Sequence, residues 1–138
     1  MAITQTTCTS FKVELLTGTH DFSSDVFKIA LYTGDATLGA DTTVYSTANE
    51  TVASGYTAGG NTLTVSTTPT SSSTIAYVSF ANTSWSSALT ARGALIYNSS
   101  KSDKAVSVLD FGADKTSSAT FVVTFPPADA TSAIVRIS

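Results

Sequence analysis

Along most of the chain apolar and polar residues alternate, and clusters of Gly, Pro, Ser, Thr, Asn and Asp interrupt the alternation, as half-buried strands joined by turns would require. Residues 26–32 put Phe27, Ile29 and Leu31 on one side and stop at Thr33-Gly34-Asp35. Residues 61–67 set Leu63 and Val65 against threonines. Residues 75–80 follow a Thr-Pro-Thr-Ser-Ser-Ser linker, where Pro69 and the serines predict a break. Further strands are predicted over 91–97, 105–111, 119–125 (Phe121, Val123 and Phe125 on one face) and 133–137 (Ala133, Val135 and Ile137 on one face). Their turns fall at 98–103, at Gly112-Ala113-Asp114 and at Pro126-Pro127-Ala128-Asp129.

Two stretches depart from period two. Phe11-Lys12-Val13-Glu14-Leu15-Leu16, preceded by Ser10 and followed by Gly18, predicts a helix of about two turns with Ser10 as N-cap. Phe11 and Leu15, four apart, share the face that plugs the β core. Residues 35–60 carry Leu38, Val44, Tyr45, Val52 and Tyr56 without clean periodicity and are broken by Gly39, Gly55, Gly59 and Gly60, which reads as an extended loop with some short structure. Seven or eight strands with almost no helix point to an all-β, two-sheet sandwich of immunoglobulin-like or jelly-roll type. At 138 residues the chain makes one domain, 1–138, with a polar N-terminal arm over about 1–9.

Composition sharpens this picture. Charged residues make up 12%, about half the usual share, while Ser and Thr supply about a third of the chain. Net charge is -3, and Lys12, Lys28, Arg92, Lys101, Lys104, Lys115 and Arg136 are scattered, so no nucleic-acid patch is predicted. The single cysteine, Cys8, excludes an intramolecular disulfide and a Cys-based zinc cage, and reads as a small buried thiol. No run approaches the ~18 apolar residues of a membrane span, and the first residues lack the parts of a signal peptide, so use without export by that route and no membrane partner are expected. Sequons at Asn49, Asn82 and Asn98 are the chance yield of a hydroxyl-rich chain.

Candidate chemistry is sparse. A hydrolase would need His20, the one histidine, as base for a serine; beside Asp21 it reads instead as part of a turn that caps backbone groups. The aspartates lie mostly in turns, and Asp110, inside a strand, is expected to pair with Arg92 or Lys115. Trp85 is expected to anchor the core or a loop, with sugar or protein contact by Trp85, Tyr45 and Tyr56 as the rival use. We therefore expect no catalytic, cofactor-binding or metal-ligating residue, no cofactor, and no enzyme. Scarce charge around open strand edges favours association with a partner.

The run from Phe11 to Phe22, Phe27-Lys28-Ile29-Ala30-Leu31-Tyr32, the Glu50 to Gly60 stretch with Gly55-Tyr56-Thr57-Ala58-Gly59-Gly60, and Ala91-Arg92-Gly93-Ala94-Leu95-Ile96-Tyr97 resemble the capsid cement (decoration) proteins of tailed bacteriophages. The likeness spans nearly the whole chain and is nearest to the cement protein of the short-tailed phage of Bordetella. It implies a jelly-roll sandwich on the outer capsid surface of the virion, made in the bacterial host cytoplasm. The partners implied are the phage major capsid protein and the chain itself, as a homodimer rather than a trimer. In that role the arm (2–9), the long loop (35–60) and the sheet edges would span capsomer seams. The alternative is a tail-fibre or host-attachment module, possibly carbohydrate-binding.

Overall fold

The computed structural model describes residues 2–138. In chain order the elements are β1 (Thr6–Thr7), α1 (Thr9–Leu16), β2 (Phe27–Tyr32), β3 (Asn61–Thr62), β4 (Val65–Ser72), β5 (Ile75–Phe80), β6 (Thr83–Trp85), β7 (Thr90–Asn98), a 3-10 turn at Ser99–Lys101, β8 (Lys104–Thr116), β9 (Phe121–Val123) and β10 (Val135–Ile137). The fold is an all-β sandwich with one short helix. One layer is a five-stranded sheet, β1-β8-β7-β2-β3; the other is split into β10-β5-β4 and the pair β6-β9. All strand pairs are antiparallel. The layers meet through rings: Phe27 on β2 lies 5.9 Å from Phe80 on β5, and Phe111 on β8 lies 6.0 Å from Phe121 on β9.

The centre of the large sheet is buried on both faces. Directly paired residues share a face, so Phe27, Ile29 and Leu31 of β2 stand beside Asn98, Ile96 and Ala94 of β7 and face the second layer. Ala30 and Tyr32 stand beside Leu95 and Gly93 on the opposite face, and they are equally buried. The cover on that face comes from residues 35–60, where Tyr45 stacks on Tyr97 at 4.6 Å. The predicted loop is therefore part of the core.

Loop and arm also close the sheet's edges. On the β2 side Thr51 donates to the Leu31 carbonyl (2.9 Å) and Leu63 to that of Phe27 (2.8 Å). On the β8 side Ala105 donates to Thr43 (3.0 Å), and Cys8 donates to Val106 (3.0 Å) beside β1. Residues 2–9 are thus not a free arm: Ile3 bridges Leu38, and both Ile3 and Cys8 are buried.

Three local expectations change. Cys8, not Ser10, occupies the N-cap of α1 and offers no side-chain bond, while the Ser10 hydroxyl lies 3.5 Å from the Thr42 carbonyl. Pro69 does not break a strand: β4 runs through it, with the register shifting between Thr67 and Thr70, because an edge strand and a bulge tolerate a missing N–H. The turn moves to Ser73, at φ 56°. Gly112-Ala113-Asp114 is a bulge inside β8, since Gly93 pairs with Asp110 and Ala91 with Lys115, which leaves 111–114 opposite Arg92. Trp85 anchors the core as expected, and does so from a strand, β6, paired with β9.

Candidate functional site

The helix and the residues after it build one side of the site. Gly18, at φ +73°, lets Thr19 donate to Glu14 (2.9 Å) and Gly18 to Leu15 (3.2 Å), the paired closure of a Schellman end. The chain then turns back under α1 and seats His20 between Phe11 (4.8 Å) and Phe27 (6.3 Å), its side chain fully buried. Nε2 meets Glu14 Oε1 at 2.8 Å and Nδ1 meets Asn98 Nδ2 at 3.0 Å. The Asn98 oxygen accepts from Ser100 N–H (3.0 Å), so its nitrogen must face His20 and Asp25 Oδ2 (2.8 Å). Nδ1 therefore accepts, and Nε2 carries the hydrogen that it donates to Glu14. Neither ring nitrogen is left to take a proton from a hydroxyl, so the serine-base geometry is not assembled here.

The network ends on Asp25, whose carboxylate accepts from Lys101 Nζ (2.7 Å) and the Asp21 amide (3.0 Å) as well as from Asn98. Burial, the largest single influence, opposes ionisation of Asp25, but these bonds together outweigh it and hold its carboxyl down at about 2. Asp21 caps the turn through Ser23 and Ser24, as its position predicted. Asp110 takes Arg92 Nε at 3.1 Å, which settles the choice between Arg92 and Lys115. Cys8 is wholly buried, and burial followed by the nearby Glu14 charge pushes its thiol up to about 11.

The aromatic residues weighed for sugar contact are turned inward. Trp85 is 4% exposed and packs on Tyr56 and Phe121. Tyr45 and Tyr56 donate to Glu50 Oε2 (2.6 Å) and Oε1 (2.7 Å), and Gly59 N–H also reaches Oε1 (2.8 Å). The Tyr56 hydroxyl in turn accepts from Leu31 N–H (2.8 Å), taking the place of a strand partner between the segments that pair with β2 at Thr51 and Leu63. Burial first, then the Glu50 carboxylate, pushes the Tyr45 phenol well above its ordinary range. Glu50, 6% exposed, is the knot of the long loop. Sequence reasoning passed over it, and the one available signal was an isolated glutamate among tyrosines and glycines.

Apolar surface is left open to solvent between α1 and β10. One face of β10 and β5 forms an apolar cleft of about 270 Å³ with Leu15, Phe22, Val78, Val135 and Ile137, floored by His20. It shares Leu15, Val135 and Ile137 with a neighbouring groove of about 470 Å³ that adds Lys12, Leu16 and Arg136. Leu16 is 90% and Ile137 53% exposed. Ile137 overhangs because its partner on β5, Ala76, is itself exposed at the end of the sheet. Another groove, about 800 Å³, runs along the long loop and is lined by Ala, Leu38 and Val44 side chains as well as by hydroxyls, Asp35 and Asp41. No family model, no curated protein and no solved structure matches this chain.

Proposed function

We propose that this protein is a virion structural protein that binds the outside of an assembled phage capsid and cements neighbouring capsomers. The observation that carries the reading is where its exposed and buried side chains are spent. In a chain with 12% charged residues, Leu16 and Ile137 are left in water together at the groove between α1 and β10, while Val13, Val26, Val44, Val52 and Val122 are exposed singly elsewhere. Meanwhile His20, Asp25, Glu50, Tyr45 and Tyr56 are held in bonds within the fold. Exposed apolar side chains grouped at one place mark an interaction surface. The resemblance of the sequence to capsid cement proteins supports the same role, and a jelly-roll connectivity and a homodimer belong to this proposal.

A partner that binds only the assembled shell lowers the free energy of that state, and lattice symmetry repeats a modest contact over many copies. Cryo-electron microscopy of the parent virion tests the reading: density of this chain bridging capsomers at fixed lattice positions supports it. Density confined to the tail or its fibres replaces it with host attachment.

A further inference from the structure

We propose that the outer edge of β10 receives one extended segment of a protein partner by strand addition, and that this segment has an apolar–acidic–apolar pattern. The inference rests on the assembly reading and names the chemistry of its contact. β10 pairs only with β5, and among the described residues no backbone hydrogen bond joins its outer side to the rest of the chain. Edges of the five-stranded sheet and of β4 are guarded, whereas among the described residues β9 also keeps a free outer side, with Val122 exposed. Thr6–Thr7 and residue 43 cover β8, residues 51 and 63 cover β2, and β4 carries Pro69 amid exposed Ser and Thr. β10 has neither a proline nor a bulge, and Arg136 is the one charged side chain on this short edge.

The pattern of the guest follows from period two. Residues opposite Val135 and Ile137 would point the same way as these side chains, toward Leu15 and Leu16, and should be apolar. The residue opposite Arg136 would lie on Arg136's face. There Arg136 reaches the Ala130 carbonyl at 3.4 Å and, among the described residues, no carboxylate pairs with it, so a carboxylate is the complementary group. The same register argues against a second copy as guest: an antiparallel pair centred on Arg136 would set two arginines opposite each other.

The probe is the peptide acetyl-Thr-Thr-Val-Glu-Val-Thr-Thr-amide, titrated to millimolar concentration into the full ¹⁵N-labelled chain, with a Lys-for-Glu peptide as control. Expected are amide shifts confined to residues 135–138 and 12–16, binding at least ~10-fold weaker for the Lys peptide, a difference of about 1.4 kcal/mol, and reversal of that preference by Arg136→Glu. No shifts at 135–138, shifts centred elsewhere, or equal binding of both peptides would overturn the inference. So would a wild-type dimer that Ile137→Asp turns into a folded monomer, because a second copy would then hold the edge. Capsids still decorated by Arg136→Glu while the Glu peptide fails to bind would remove this contact and leave the cement role standing. Peptide binding by a chain absent from capsids would do the reverse.

Discussion

Replacing Glu50 by alanine should cost about 3–5 kcal/mol, because it empties the acceptor position on which the long loop is tied. The carboxylate is 6% exposed and takes three donors at 2.6, 2.7 and 2.8 Å. Of these, the Gly59 N–H is fixed in the backbone and would be left unpaired, at about 1–3 kcal/mol. The Tyr45 and Tyr56 hydroxyls can rotate, yet each loses a charge-assisted bond, and the Tyr56 oxygen is already committed to Leu31 N–H. Glu50→Gln separates charge from shape. Its oxygen can still serve Tyr56 and Gly59, while its NH₂ group would meet Tyr45, whose hydroxyl must turn from donor to acceptor, for a cost of about 1–2 kcal/mol. Against a total of about 5–15 kcal/mol for a domain, the alanine variant should lose a large share of its stability. Urea unfolding followed by Trp85 fluorescence is suited to the measurement, since that ring lies 5.8 Å from Tyr56. A fall in midpoint at constant m-value is expected. A loss below about 1 kcal/mol for alanine, or equal losses for Ala and Gln, would refute the assignment of Glu50 as the knot.

Other consequences follow from the same structure. Gly60→Ala would put a Cβ 1.7 Å from the Ile29 carbonyl oxygen at φ +76°, so the variant should fail to fold or lose more than about 3 kcal/mol by thermal unfolding. Gly18→Ala, at φ +73° but with open space around its Cβ, should lose only about 1 kcal/mol. Because the Asp25 carboxyl is held at about 2, below its ordinary 3.8, its contribution is complete above pH ~4 and is lost as pH falls toward 2. Urea midpoints between pH 5 and 2 should therefore decline less steeply in Asp25→Asn than in the wild type. With its thiol raised to about 11 and fully buried, Cys8 should resist a disulfide reagent at pH 8 in the native protein and react at once in urea; rapid native labelling would refute its burial.

Much of the sandwich was legible because period two survives in the strands that make it. β2 and β5 lie where the alternation put them, the Phe121, Val123 and Phe125 face is buried, and Gly18 closes α1. Pro69 misled because a proline excludes a central strand but not an edge one, and rank within a sheet is invisible to a local pattern. Trp85 was read correctly as an anchor without its strand, since three residues are too few to show a period. The candidate cleft was less legible: Val135 and Ile137 share one face as expected, but the strand starts at Val135 and leaves Ala133 outside it, and only the end of the second layer decides that Val135 is covered and Ile137 is not.

By itself the sequence determined the fold class, the helix and the poverty of charge, because these depend on side-chain period and composition. Tertiary structure alone decided that residues 35–60 roof the second face of the large sheet. It also decided that Glu50 gathers Tyr45, Tyr56 and Gly59, and that His20 is spent between Glu14 and Asn98. Those arrangements join residues from separate segments, and burial of a polar group is paired only by partners that the folded chain brings within hydrogen-bond distance. The open edge of β10 is a result of the same kind: a strand's neighbours, and hence its unpaired side, are set by the whole sheet and not by its own three residues.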